Sequence, residues 1–85
     1  MNKKYLTALV TALLSVKSEK EMTEFLRGIL TPKELDEIST RLEIVKQLKA
    51  GTSQHKIAEQ LKVGVATVTR GSKELQKGRF SSIKE

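Results

Sequence analysis

Residues 54–73, QHKIAEQLKVGVATVTRGSK, have the apolar spacing and the central turn of two short helices that cross at a steep angle. Ile57 and Leu61 lie four residues apart, which gives the first helix one buried stripe. Residues 62–64, KVG, can form the tight turn, and Val68 belongs to the inward side of the second helix. The spacing therefore predicts a helix-turn-helix.

Gly71 is unusual for such a motif, because a large aliphatic residue would usually close the small core between Val68 and Leu75. Glycine inside a helix costs about 1 kcal/mol relative to alanine. We therefore expect either that another group fills this space or that a backbone approaches closely. Arg70 precedes the glycine and offers a cation that can stack on a flat ligand.

The length and composition predict one small all-α domain over residues 1–85. We expect dimerisation helices in 1–51, a helix-turn-helix head in 52–77 and a short tail in 78–85. Only 38% of the residues are hydrophobic and three are aromatic, so a lone chain would bury a thin core. These features favour a homodimer, and no segment alternates with the period of a strand.

Helix-start signals divide the chain into about five helices. Ser18 and Thr31 are each followed three residues later by a glutamate, which is typical of a capping box. Ser53 is a cap for the fourth helix, and Gly51 and Gly78 follow predicted helix ends. The expected helices cover about residues 3–16, 19–28, 32–50, 54–61 and 65–76.

Several protein classes lack support in this sequence. The chain has no cysteine and one histidine, so we expect neither a disulfide nor a metal site. Catalytic groups are not clustered along the chain, which argues against an enzyme. The apolar residues 5–14 are too few to cross a membrane, and their polar neighbours fit an amphipathic helix better than a signal peptide. We expect a cytoplasmic protein.

The net charge of +6 is concentrated in the second half of the chain. Residues 1–43 contain seven basic and seven acidic side chains, whereas residues 44–85 contain nine basic and three acidic ones. A lysine-rich solvated surface would give the same count. Because the excess coincides with the helix-turn-helix, we favour double-stranded DNA as the partner.

The second helix of the motif begins with short side chains, which would let it enter a major groove about 12 Å wide. Few of these residues can make bidentate base contacts, so we expect readout through water and DNA shape as well. The alternative is a helical hairpin whose small residues only pack. The predicted DNA-binding residues are Gln54, His55, Lys56, Val65, Ala66, Thr67, Thr69, Ser72 and Lys73.

Three stretches resemble the bacterial tryptophan repressor family: LTPKELDEISTRLEIVKQLKAG from Leu30, SQ from Ser53, and GVATVTRGSKEL from Gly64. The resemblance implies an intertwined all-α homodimer that represses transcription. Its two recognition helices would lie about 34 Å apart, one turn of DNA.

The same resemblance implies a corepressor site for L-tryptophan or a similar small aromatic amino acid. Arg41 and Arg70 would sandwich the indole ring, and Gly71 would make room for it. Arg70 and Thr31 would hold the ligand carboxylate. The resemblance thus offers a reason for the unexpected glycine.

The ligand's amino group would meet backbone carbonyls near Gly28 and Leu30, and Glu74 stands where the family has a serine. Glu74 could accept a hydrogen bond from the ammonium group. It could instead pair with Arg70, four residues earlier on the same helix, and this is the arrangement that we expect.

Two alternatives to a tryptophan-activated repressor follow from these residues. A ligand-independent repressor-like protein would have Arg70 locked by Glu74. A helical interaction module would use the dimer and the basic surface to bind another protein. Tryptophan titration distinguishes a tryptophan-activated repressor from a ligand-independent one. A steep salt dependence of DNA affinity distinguishes a DNA-binding protein from a protein-interaction module.

Overall fold

A computed structural model describes residues 1–84 and shows five α-helices there, with no β-strand. The all-α prediction is therefore confirmed. Glu85, the last residue of the predicted tail, lies outside the described residues. The helices are α1 (Lys3–Ser15), α2 (Glu19–Ile29), α3 (Pro32–Lys49), α4 (Gln54–Leu61) and α5 (Val65–Gln76).

The chain forms two compact units, one over Met1–Leu35 and one that begins at Asp36. In the first unit, α1 and α2 contain no buried residue. The apolar side chains that α1 leaves exposed are Tyr5, Leu6, Leu9, Val10 and Leu14. The single-domain assignment and the pairing of two copies stay predictions.

Side-chain caps set the helix starts of the first unit. The Ser18 hydroxyl accepts a hydrogen bond from the Glu21 amide at 3.1 Å, as the capping-box pattern predicts. The Glu21 carboxylate reaches one residue further back than expected, to the Lys17 amide at 3.3 Å. Asn2 caps α1 by accepting from the amide of Lys4 at 2.9 Å.

Thr31 and Glu34 form the complete capping box at the start of α3. The Thr31 amide donates to the Glu34 carboxylate at 2.8 Å, and the Glu34 amide donates to the Thr31 hydroxyl at 3.1 Å. Hydrogen bonds with Thr31 lower the pKa of Glu34. The backbone of Thr31 has the larger effect and its side chain the smaller one.

The buried core lies in the second unit and joins α3, α4 and α5. Ile44 of α3, Ile57 and Ala58 of α4, and Val68 of α5 form one buried cluster. Burying each large aliphatic side chain contributes roughly 1.5–3 kcal/mol. The half-buried residues packed against the cluster are Leu48, Leu61 and Val63. The core therefore fixes the helix-turn-helix on α3.

The turn between α4 and α5 depends on Lys62. Lys62 adopts a left-handed conformation with φ of 56°, whereas Gly64 has an ordinary φ of −68°. The Val63 amide donates to the carbonyl of Ala58 at 3.1 Å and closes the end of α4. Ser53 caps the start of α4 through the Lys56 amide at 3.3 Å, as predicted.

The tail returns to the end of α3 after α5. Gly78 has a φ of 79°, which lets the chain reverse where a residue with a Cβ would be strained. The Lys49 ammonium group donates to the carbonyl of Phe80 at 2.8 Å and also to that of Ile83. Phe80 and Ile83, the two apolar residues of the tail, are half-buried and anchor it.

Candidate nucleic-acid interface and ligand cleft

The outer face of α5 carries the small side chains that the sequence assigned to DNA. Val65 is 42% exposed, and Ala66 and Lys73 are also exposed. Gly64, the N-cap, makes no side-chain hydrogen bond to the first turn. The Thr67 amide donates to the carbonyl of Gly64 at 3.1 Å, so the amides of Val65 and Ala66 are the ones open to an anion such as a phosphate, at the positive end of the helix dipole.

Gln54 and Thr69, both predicted DNA-binding residues, contact each other. The Thr69 hydroxyl donates to the Gln54 side-chain carbonyl at 2.8 Å and joins the first turn of α4 to the second turn of α5. Both residues are half-buried. Periodicity along one helix cannot reveal a bond between side chains fifteen residues apart.

The other predicted DNA-binding residues are not all on one face. His55 and Lys56 are exposed at the start of α4, where they can meet a phosphate backbone. Ser72 is half-buried on α5. Thr67 borders two clefts that it shares with Arg41, so it belongs to the α3-facing side of α5.

A cleft of about 280 Å³ lies between α3 and α5. The structure brings four of the predicted ligand residues to it, namely Arg41, Arg70, Gly71 and Glu74. Within residues 1–84, the side chains of Arg41 and Arg70 make no hydrogen bond or ion pair. Two exposed cations are thus available to a ligand. The remaining lining residues are Ile44, Val45, Thr67 and Phe80.

Phe80 adds an aromatic side chain to the cleft, although the sequence did not predict it there. Its position depends on the turn at Gly78 and on the bond from Lys49 to its carbonyl. Those determinants lie on separate elements. The signal in the sequence is that Phe80 and Ile83 are apolar in an otherwise polar tail.

Glu74 does not pair with Arg70, so that expectation was wrong. Its carboxylate lies 3.3 Å from the Lys77 ammonium and 2.6 Å from Nε of Arg79. The hydrogen bonds from Lys77 and Arg79 lower the pKa of Glu74. The reason for the difference is the path of the tail, which returns Arg79 to α5 and satisfies the carboxylate away from Arg70.

The space beside Gly71 is filled from α3, which agrees with one of the two expectations for this glycine. A Cβ at position 71 would lie 3.3 Å from Cγ2 of Ile44 and 3.7 Å from Cδ1 of Leu48. The first distance is tighter than ordinary van der Waals contact. Gly71 therefore permits close packing on α3 and also lines the cleft.

The remaining three predicted ligand residues belong to the first unit. Gly28 is exposed in the last turn of α2, with no atom near its missing side chain. Leu30 ends α2, and its amide donates to the carbonyl of Leu26 at 2.9 Å. Thr31 opens α3. Their role in ligand binding stays a prediction.

No helix in residues 1–84 is long and apolar enough to cross a membrane.

Comparison with known proteins identifies the family. A search among curated proteins found no match. The family model described as Trp repressor protein matches residues 4–82, nearly the whole chain, and so extends the resemblance beyond residues 30–75. The chain therefore belongs to the Trp repressor protein family, whose members are DNA-binding transcriptional regulators rather than enzymes.

Proposed function

We propose that this protein is a cytoplasmic homodimer that represses transcription at a double-stranded DNA operator. L-tryptophan, or a similar small aromatic amino acid, is its corepressor. The observation that carries the proposal is the position of Arg41, Arg70 and Gly71 on one cleft, with no ion pair to either arginine among the described residues. Since Arg70 and Gly71 belong to α5, the ligand would bind directly to the helix that reads DNA.

The DNA part of the proposal rests on shape and charge. The exposed start of α5 is slim enough for a major groove. Residues 44–85, which include that helix, carry nine basic and three acidic side chains. Lys56 on α4 and Lys73 on α5 are exposed and can neutralise phosphates on either side of the groove.

The ligand part rests on the chemistry of the cleft. A flat ring can lie against the guanidinium groups, and Ile44, Val45 and Phe80 supply apolar surface. Arg70 can bind the ligand carboxylate with a charge-assisted hydrogen bond. Glu74 is engaged by Lys77 and Arg79, so a ligand ammonium would compete with two cations for it.

Ligand binding would act by population shift. A ring that touches Arg41 of α3 and Arg70 of α5 favours the arrangement in which both side chains close on it. A coupling of about 1–3 kcal/mol would strengthen DNA binding about 5- to 150-fold. The ligand-independent alternative required an ion pair between Glu74 and Arg70. Glu74 pairs with Lys77 and Arg79 instead, so this alternative lacks that support.

The dimer part rests on unburied apolar surface. Tyr5 and Leu14 of α1 are 73% and 81% exposed, and none of the residues of α1 is buried. Burying such a face against a second copy would remove apolar area from water. Two reading heads are also what a two-fold DNA site requires.

The test is calorimetry with L-tryptophan, followed by measurement of affinity for DNA selected from a random duplex library, with and without the ligand. We expect heat from the titration and tighter DNA binding in its presence. Arg70→Gln should abolish both effects. Lys84→Gln removes an exposed cation that lines none of the clefts described here and is the matched control.

Each part of the proposal can fail separately. Tight DNA binding that does not respond to tryptophan would refute the corepressor and leave the repressor. DNA affinity should fall steeply with salt, with a slope near −0.9 for each neutralised phosphate. Absence of DNA binding at low salt would refute the repressor itself.

A further inference from the structure

We propose that the Thr69–Gln54 hydrogen bond makes Gln54 a reader of guanine, by turning the amide oxygen towards Thr69 and leaving both N–H donors free for a base. This inference rests on the proposed DNA-binding function. It concerns which base the helix-turn-helix prefers at one position of the half-site. Thr69 is the positioning residue, and Gln54 makes the contact.

The geometry holds the amide in one orientation. The Thr69 hydroxyl donates to Oε1 of Gln54 at 2.8 Å, so this bond determines which end of the amide points to α5. Gln54 is the first residue of α4, directly after the Ser53 cap, and Thr69 is fixed in the second turn of α5. Both side chains are half-buried, which further limits their rotation.

The bond changes what Gln54 can offer to a ligand. A primary amide has two N–H donors on nitrogen and an oxygen whose two lone pairs can each accept a hydrogen bond. Thr69 occupies one lone pair of this oxygen, whereas within residues 1–84 the Nε2 donors have no hydrogen-bond partner. The end of the amide that is wholly free for DNA is therefore the pair of donors.

Guanine is the base that matches a pair of donors. In the major groove it presents two neighbouring acceptors, N7 and O6, whereas adenine presents one acceptor and one donor. A glutamine with a free amide pairs with adenine, since oxygen accepts from N6 and nitrogen donates to N7. With Oε1 turned towards Thr69 and one of its lone pairs occupied, the adenine pairing is weakened and the guanine contact is kept.

The position on the motif favours a base over a phosphate. Thr69 borders an open surface of α5 together with Val65, Ala66 and Lys73, the side that carries the small residues. Gln54 is held against this surface by the bond. Its neighbours His55 and Lys56 are exposed and better placed for phosphates.

The experiment compares base preferences of the full chain and three variants, selected from a random duplex library with and without L-tryptophan. Thr69→Val keeps the branched shape but removes the hydroxyl. We expect it to shift one position of each half-site from guanine towards adenine, changing their relative affinity by at least roughly fivefold. Thr69→Ser, the conservative variant, should restore guanine. Gln54→Glu, which offers only acceptors, should shift the same position towards cytosine.

Thermal melts of each variant establish that it is folded before selection. If folded Thr69→Val keeps the parent preference at every position, the bond does not set readout and the inference is wrong. Equal weakening on all sequences in Gln54→Glu would identify a phosphate contact and also overturn it. A parent chain that binds no DNA would refute the proposed function, and this inference with it, whereas intact binding with unchanged preference refutes this inference alone.

Discussion

Nε of Arg79 lies 2.6 Å from Oε2 of Glu74, because the turn at Gly78 brings the tail back beside α5. Lys77 approaches the other carboxylate oxygen at 3.3 Å. The pair thus links the end of the recognition helix to the tail segment that contributes Phe80 to the cleft.

The carboxyl group of Glu74 should titrate below the ordinary glutamate pKa of about 4.3. Hydrogen bonds from Lys77 and Arg79 favour its charged form in the folded protein. Because the folded-state pKa is lowered, the stabilisation is present above the ordinary value and is lost as the pH falls through the lowered one. A carboxyl NMR titration measures this, and Arg79→Gln should move the pKa back towards the ordinary range. Titration of Glu74 above about 4.3 would contradict the ion pairs.

Lys49→Met should release the tail from α3. The ammonium group donates to two tail carbonyls, whereas methionine keeps most of the apolar stem and removes the donors. We expect a loss of roughly 1–2 kcal/mol in the free energy of unfolding and faster amide exchange in residues 79–83. Lys46→Met, on the same helix, is the control. Equal exchange rates in both variants would show that Lys49 does not hold the tail.

Gly71→Val should both destabilise the fold and block the cleft. The added Cβ alone would lie 3.3 Å from Cγ2 of the buried Ile44, and valine brings two further methyl groups. Overpacking of this kind costs roughly 1–3 kcal/mol. Thermal melts measure the cost, and calorimetry measures ligand binding. An unchanged or raised melting temperature with lost binding would mean that the position is an open pocket wall.

A double-mutant cycle tests whether Ile44 is the neighbour that makes a side chain at position 71 destabilising. Ile44→Leu removes the branch at Cβ that meets position 71, while it keeps the side-chain volume. Gly71→Ala should therefore be less costly in the Ile44→Leu background than in the parent chain. Additive costs would show that Ile44 does not restrict this position.

Removing the apolar face of α1 should weaken self-association. The variant Tyr5→Ser with Leu14→Ser removes two exposed apolar side chains, and Thr7→Ser with Thr11→Ser is the control on the same helix. Analytical ultracentrifugation should show a dimer of the parent and control at micromolar concentration and a monomer of the apolar-face variant. A parent chain that sediments as a stable 9.5 kDa monomer would contradict the dimer.

The sequence predicted the helices because their limits depend on local signals. Ser18, Thr31 and Ser53 cap helices at the expected positions, and the predicted limits of α5 agree with the observed ones. The apolar spacing of residues 57, 61 and 68 likewise corresponds to the observed core. Each of these inferences uses residues within about one or two helical turns of each other.

The wrong and missing assignments involve residues that meet only because the chain reverses direction or because two helices cross. A helical period places Glu74 near Arg70, but the competing cation on Arg79 arrives only through the turn at Gly78. Phe80 reaches the cleft by the same route, and the Gln54–Thr69 bond requires the crossing of two helices. The left-handed residue of the turn is Lys62, although Gly64, two residues later, is the residue type that adopts that conformation most readily.

The close approach of Ile44 to position 71 has a consequence for how relatives of this chain can diverge. The two positions share one fixed volume, so their substitutions are not independent. Alanine at position 71 is compatible with a residue at position 44 that is not branched at Cβ, whereas beside isoleucine it crowds Cγ2, which must give by a few tenths of an ångström. The residue without a Cβ branch should therefore come first along a mutational path, since the reverse order passes through a crowded intermediate. Natural sequences that lose this glycine should accordingly carry leucine or methionine opposite it.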